Sequence, residues 1–289
     1  MSRKIDTQAV GLDTGLALIR WLTGAESLHY GDWTGLEVAA GNLRRAQDAY
    51  TDRLLALFPP GRLRILDIGG GAGETAKRLL ALGHLVDVVV PSAFLAARCR
   101  ANAPAARIHE CTFEAFDGQG PFDLCLFSES FQYIPMEVSL PKCRALLAPG
   151  GAVVLADCFR SDAYQGRAVH GPQPGGGHHL SRFSAELAGG GWQVSAEEEI
   201  TAAVAPSIDL EQGFFNVIGL GIGRLRDEMA AKRPGSLWLV RRLAGLALGP
   251  AQRGRLMQRL TGNARSAEAF QRFNHYMLMR LVPGPLPKD

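Results

Sequence analysis

Arg64-Ile-Leu-Asp-Ile-Gly-Gly-Gly-Ala-Gly-Glu-Thr-Ala-Lys-Arg-Leu-Leu80 is the stretch on which the reading of this chain turns. An apolar run, interrupted by Asp67, leads into Gly69, Gly70, Gly71 and Gly73, after which Ala76, Leu79 and Leu80 recur at helical spacing. The pattern predicts a strand, a tight glycine turn and a helix. A turn without Cβ atoms lets a ligand lie against the backbone. The helix start beyond it aims amide donors into the crevice at the strand's end.

The spacing separates this turn from two common alternatives. A dinucleotide-type G-x-G-x-x-G begun at Gly69 would need its third glycine where Glu74 stands, and no G-x-x-x-x-G-K-[ST] loop is present. Downstream, strand-like runs at 85–90, 107–111, 122–128 and 152–156 alternate with a helical pattern at 92–102. Upstream, 10–22 and 43–58 read as helices, the second ended by Pro59-Pro60. Such alternation predicts an α/β fold with a doubly wound, mostly parallel sheet, whose ligands sit beyond the carboxyl ends of the strands. We divide the chain into an N-terminal helical lid (1–60), an α/β core (61–205) and a C-terminal helical cap with a possible final strand (206–289). Within the last, 206–232 reads as a helix or pair of helices broken by Gly221 and Gly223, and 276–282 as a final antiparallel strand or as helix.

With 47% hydrophobic and 20% charged residues, the 289-residue chain has the composition of a soluble globular protein. Its five cysteines are scattered without a C-x-x-C pair, which suggests reduced, buried thiols and neither a disulfide frame nor a zinc site. No signal-peptide pattern and no run of about 18 apolar residues occurs, so a cytoplasmic location is expected. The net charge of +3 is uneven: from residue 222 onward there are 13 Lys/Arg against four Asp/Glu. That split is compatible with an anionic partner, a membrane surface or a solvated helical face.

Asp67-x-Gly69-x-Gly71-x-Gly73 resembles motif I of the class I S-adenosylmethionine-dependent methyltransferases. Ser27-Leu-His-Tyr-Gly-Asp-Trp33 is similar to the H-Y-G-x-W segment of sterol-, tocopherol- and related small-molecule methyltransferases. Phe122-Asp-Leu-Cys-Leu-Phe-Ser128-Glu-Ser130 is similar to that family's fourth strand, and Leu146-Leu-Ala-Pro-Gly-Gly151 to the turn before its fifth. The resemblance spans roughly residues 25–160. It implies S-adenosylmethionine as cofactor, held by Asp67, Gly69, Gly70, Gly71, Gly73 and Ser128, with Tyr30 near its methionine end.

Two positions depart from the family's pattern. Val90 stands where an acid usually holds the ribose hydroxyls, and losing such a contact costs about 1.5–3 kcal/mol. At the end of the third strand Thr112 is the best match for the adenine contact, with Phe113 as ring wall or amide donor, and Glu110 and Glu114 as register-dependent alternatives. For proton transfer the candidates are Glu129 after the fourth strand, Asp157 at the end of the fifth and His178 in a glycine-rich loop. Tyr133, where relatives often carry a histidine, is a candidate to orient a substrate hydroxyl. Asp157 has the alternative role of capping its loop. Adjacent His178 and His179 lack a third ligand at metal spacing, so no metal is expected.

The expected activity is methyl transfer to an oxygen or carbon of a small, hydrophobic metabolite. The alternatives are a non-methylating enzyme or a non-catalytic binding protein on the same fold. The apolar-rich segment 206–289 is expected to cap the crevice and shape the acceptor pocket, or to be buried in a homodimer. Nothing resembles an RNA-binding module, so nucleic acid is not an expected partner; peripheral membrane contact is compatible with the basic C-terminal segment.

Overall fold

A computed structural model describes residues 7–164, 166, 176–247, 249–261 and 265–285. In chain order they form α1 (Thr7–Thr23), α2 (Leu43–Leu55), β1 (Arg64–Ile68), α3 (Glu74–Ala81), β2 (Leu85–Val89), α4 (Ala93–Asn102), β3 (Arg107–His109) and β4 (Phe122–Ser128). Then come α5 (Met136–Leu146), β5 (Leu147–Arg160), α6 (Leu180–Gly189), β6 (Trp192–Glu199) and α7 (Thr201–Val204). The chain continues as α8 (Pro206–Lys232), α9 (Pro234–Ala247), α10 (Pro250–Thr261), α11 (Ala267–Phe273) and β7 (Asn274–Pro283).

Among the described residues the strands make one seven-stranded sheet, ordered β3-β2-β1-β4-β5-β7-β6. The first five are mutually parallel, and β7 runs antiparallel to both β5 and β6. Central parallel strands are buried on both faces, which is why they read as nearly continuous apolar runs. Side-chain alternation splits them between two cores. Leu124 and Leu126 of β4 pack with Tyr50, Ile65, Val88, Val154 and Leu278 on one face. Cys125 and Phe127 join Leu66, Val89, Val153, Phe131 and Met279 on the other.

The expected strands and helices are present, with four differences. β5 runs from Leu147 to Arg160, so most of the turn expected at 146–151, and Asp157 expected at the strand's end, fall inside it. Residues 276–282, readable as strand or helix, are strand, and β7 lies inside the sheet. It differs in this from the helices α8, α9 and α10, which precede it in the expected cap segment. Gly221 and Gly223 do not break α8, which runs for 27 residues. Their cost of about 1 kcal/mol each relative to alanine is borne by a long helix anchored elsewhere. Gly219 lies so close to α10 that a Cβ there would stand 1.8 Å from the Leu260 carbonyl oxygen, and Gln212 Nε2 donates to the Arg259 carbonyl at 2.9 Å. Finally, β3 ends at His109, two residues short of the expected 107–111.

The outer strand β6 carries Glu197, Glu198 and Glu199 and a register shift at Val194/Ala196, features that discourage edge-to-edge pairing. Arg144 closes that end of the sheet by donating to the carbonyls of Gly190, Gly191 and Gly284 while lying over the Trp192 ring.

If β7 is an interior strand, Leu278→Ala, at a fully buried position, should destabilise the protein by about 2–5 kcal/mol in urea unfolding. Val194→Ala, 43% exposed on β6, should cost less than about 0.5 kcal/mol; equal losses would contradict this topology.

Candidate active site

The turn after β1 is sealed on its protein side and open toward the crevice. Gly69 N–H donates to the Val89 carbonyl at 2.8 Å. With φ at +80°, a Cβ on Gly69 would stand 2.3 Å from Ser130 Cβ. A Cβ on Gly70 would stand 2.5 Å from Val88 Cγ1 and 2.6 Å from Asp67 Oδ2, whereas around Gly71 nothing lies within 4 Å. Gly73 backs onto Cys99 of α4, whose Sγ would be 2.7 Å from an added Cβ.

Asp67 is almost wholly buried and its Oδ2 has no hydrogen-bond partner. Burial alone pushes its carboxyl up to about 7. A desolvated carboxylate oxygen left unpaired is expensive, and a donor presented from the crevice would satisfy it. Glu26, Leu28, His29, Glu74 and Ser128 wall the crevice beside it.

The segment 26–33 is clamped over this turn. Gln47 of α2 donates to the carbonyls of Ser27 and His29 at 2.9 and 3.0 Å. Trp33 Nε1 and the Gly31 N–H both donate to Ser207 Oγ, at 2.8 and 3.0 Å. Glu26 is gripped by Arg98, which holds its carboxyl below the usual range, and Asn102 Nδ2 bridges Glu26 and the Ala72 carbonyl. His29, stacked on Tyr50 with its Nδ1 2.8 Å from the Tyr30 carbonyl oxygen, is pushed down to about 4 by burial.

These contacts bring Tyr30 to Glu129. The Tyr30 N–H donates to Glu129 Oε1 at 2.7 Å, and the Tyr276 hydroxyl of β7 donates to the same oxygen at 2.8 Å. Tyr276 stands 2.9 Å from the Tyr50 hydroxyl, which stands 3.3 Å from Ser128 Oγ. With Tyr276 committed as donor, the row reads Ser128 to Tyr50 to Tyr276 to Glu129, and each hydroxyl is directed by the next. Glu129 has φ of +57°, a left-handed conformation that costs a non-glycine residue on the order of 1–3 kcal/mol and clusters at functional sites. Burial pushes its carboxyl up to about 8 against the pull of its two donors. Arg265 links the cap to this cluster, donating to the Tyr30 hydroxyl at 3.3 Å and to Glu211 Oε2 at 3.0 Å.

The other sequence candidates divide. Asp157 is fully buried and accepts from the backbone N–H groups of Cys158 and Gln132 at 2.7 and 3.1 Å. Asp157 lies inside β5 and not at its end, and its carboxylate holds the short 3-10 turn Phe131–Tyr133 after β4, not the loop that follows β5. His178 Nε2 lies 2.9 Å from the Ile134 carbonyl oxygen and 3.2 Å from that of Phe131, so this nitrogen is a donor to backbone and not a free base. Tyr133 is 66% exposed at the mouth of the site, within electrostatic reach of Glu129, Asp157 and Arg265. His170 and Gly175 lie outside the described residues.

Val90 is buried among Leu16, Ala72, Leu95 and Ala96, so the end of β2 is apolar and is covered by α1. Thr112 is exposed and turns its hydroxyl toward the Ala115 N–H at 3.4 Å. Phe113 packs in the core against Phe116 and Phe127, with Lys142 Nζ 5.2 Å from its ring centre. Neither lines the crevice beside Asp67. Sequence reasoning missed Tyr50, Tyr276, Arg265, Glu211 and Glu26. Tyr50 and Tyr276 sit inside helical and strand patterns that mark core positions, and only the pairing of β7 with β5 aims Tyr276 at Glu129 and brings it to Tyr50.

A family profile described as a methyltransferase domain matches residues 42–188, just over half of the chain. Ubiquinone biosynthesis O-methyltransferase of Bradyrhizobium diazoefficiens is 31% identical over 134 residues, 43% of this chain and 53% of that protein. The tRNA 5-carboxymethoxyuridine methyltransferase of Escherichia coli is 34% identical over 128 residues, 40% of this chain and 48% of that one. The chain spans about half the length of these relatives. Its fold is similar to that of the cyclopropane synthase of Mycobacterium tuberculosis, with a TM-score of 0.66 at 17% identity over 97% of this chain and 99% of that one.

The turn's geometry predicts unequal costs for two neighbouring substitutions. Gly70→Ala must push Val88 or the Asp67 carboxylate aside and should lower the melting temperature by several degrees. Gly71→Ala meets open space and pays only for its left-handed φ, about 1–2 kcal/mol. Thermal melts of the two variants check this, and a Gly71→Ala protein as destabilised as Gly70→Ala would contradict the arrangement.

Proposed function

The chain belongs to the class I S-adenosylmethionine-dependent methyltransferase family, and from that premise we propose that it methylates an oxygen or carbon of a small hydrophobic metabolite. In this reading Glu129 is the proton acceptor. The observation that carries it is the Glu129 carboxylate: held through one oxygen by Tyr30 N–H and Tyr276 hydroxyl, strained at its backbone, and raised by burial to about 8.

The residues fit the cofactor's amino-acid end. A buried carboxylate oxygen of Asp67 lacks a partner, and the turn at Gly71 has no atom within 4 Å of where a side chain would begin. An ammonium group beside Asp67 would satisfy the orphaned oxygen, and the backbone at Gly71 leaves space for a carboxylate or sulfonium-bearing chain. When bound, the cofactor supplies a methyl group on a positively charged sulfur. The protein's own work is then positional and electrostatic. The row of hydroxyls from Ser128 to Tyr276 fixes Glu129 Oε1, leaving Oε2 to take a proton from the acceptor. The segment 26–33, clamped by Gln47 and Ser207, keeps water from the site. Tyr133 at the mouth is the residue we assign to orienting an acceptor hydroxyl.

A hydrophobic acceptor is supported by the aromatic surroundings of Glu129, where Tyr30 meets Phe270 and Tyr276 edge-on or tilted at 6.1 and 6.0 Å between centroids. It is also supported by a relative named for ubiquinone biosynthesis. A relative named for tRNA modification matches a similar share of this chain, 40%, so the reading rests on the aromatic surroundings of Glu129 more than on the relatives' names. A second reading, a protein on this fold that no longer methylates, draws on one observation: the ribose end of the crevice is apolar, with Leu16 packed beside Val90.

Calorimetric titration with S-adenosylmethionine and S-adenosylhomocysteine separates the two. Micromolar binding of both supports methyl transfer, and no heat at millimolar ligand would sink it. With a methyl acceptor found, kcat/KM should rise about tenfold per pH unit below pH 8 and level off above it, because the reactive form of Glu129 is the ionised one. Glu129→Gln should lower the rate by about 10²–10⁴-fold and flatten the profile; a wild-type rate independent of pH between 6 and 9 would remove Glu129 from this role.

A further inference from the structure

Among the described residues the cap presents apolar surface that nothing covers. Phe214, Val217, Ile218, Ile222 and Leu225 recur at helical spacing on α8, and Val217 and Leu225 are 69% and 63% exposed. On α9 Leu237 is the one described side chain that is buried. At about 100° per residue, the face opposite Leu237 carries Trp238, Leu239, Arg242 and Leu243. Trp238 and Leu243 are 61% and 55% exposed, and Arg242 lies over the Trp238 ring at 5.4 Å. Isolated exposed apolar residues are ordinary, but a run of them over two adjacent helices marks an interaction surface.

Arginine predominates beside this surface: in the second half of α8 the two acids, Asp227 and Glu228, are exposed and paired with Arg226 and Lys232. From Pro234 to Thr261 the chain has five arginines and no Asp or Glu. Arg224, Arg233, Arg241, Arg242 and Arg253 have no carboxylate within ion-pair distance among the described residues. A second copy docked face to face would set arginines against arginines. RNA would meet the charge but not the aliphatic side chains, since Trp238 is the one aromatic of the α9 face. An anionic bilayer meets both, taking leucine and tryptophan into the headgroup–acyl boundary and arginine onto lipid phosphates.

We propose that the outer face of α8 and α9 seats this protein on anionic lipid membranes as a peripheral, non-spanning contact. No described helix is long and apolar enough to cross a bilayer, so the contact is a surface one. The inference stands on the cap alone and does not depend on the reaction assigned above.

Flotation of the full chain with phosphatidylcholine vesicles, and with vesicles in which about a third of the lipid is phosphatidylglycerol, tests this. Binding is expected to the second only and should weaken as salt rises. Trp238→Glu with Leu243→Glu, and separately Arg224→Gln with Arg242→Gln, should each lower partitioning about tenfold or more, with melting temperature and circular dichroism unchanged because all four side chains are exposed. Equal binding to both vesicle types, or to neither, overturns the proposal. So does concentration-dependent dimerisation abolished by the same substitutions, or tRNA binding that they remove while vesicle binding persists.

Discussion

The bond from the Tyr276 hydroxyl to Glu129 Oε1 joins three parts of the chain that are far apart in sequence. Glu129 ends the strand beside β1, Tyr276 comes from β7, and the same carboxylate oxygen also takes the Tyr30 N–H of the segment over the crevice. A carboxyl raised to about 8 beside two buried tyrosines would be a liability without donors. With them it is a fixed acceptor, and its left-handed backbone is tolerated because the surroundings hold it on three sides. Remove β7 from between β5 and β6, and the hydroxyl row from Ser128 through Tyr50 loses its terminus.

The crevice is chemically divided. Toward the glycine turn it has an orphaned carboxylate oxygen, open backbone and the polar walls Glu26, Glu74 and Ser128. Toward the end of β2 the structure is packed with Leu16, Val90, Leu95 and Ala96. With the cofactor bound as proposed, its affinity would rest disproportionately on the amino-acid end. A ribose acid would contribute a charge-assisted bond; in the proposed pose the sugar would be accommodated by shape and backbone.

Much of the fold was legible because period-two and period-3.6 patterns are local. The glycine turn, the strands around it and the two N-terminal helices follow from such patterns. Residues 276–282 were not decidable, since a short run that is apolar but for Arg280 suits a buried strand or a buried helix, and pairing with β5 chose between them. Gly221 and Gly223 suggested a break that tertiary contacts at Gly219 and Gln212 override. In the site, Asp67, Gly69, Gly70, Gly71 and Ser128 line one crevice, and Tyr30 meets Glu129. Thr112 and Phe113 did not join them, because the third strand ends early and the chain turns Phe113 inward. His178 and Asp157 carry the right chemistry, but their polar atoms are engaged with main-chain groups, a fact that no one-dimensional pattern contains.

The antiparallel insertion of β7 also constrains the order in which the molecule can be made. β5 is synthesised more than a hundred residues before its neighbour β7, and β6 has no partner in the sheet until β7 arrives. On the ribosome, the parallel half around β1 can close early, while the hydrophobic edge of β5 waits through the whole of the cap's translation. Pairing across so long a separation is slow and leaves an unpaired strand edge open to chaperones or to other chains. Because Tyr276 rides on that last strand, the Glu129 carboxylate gains its hydroxyl donor only when the sheet is finished.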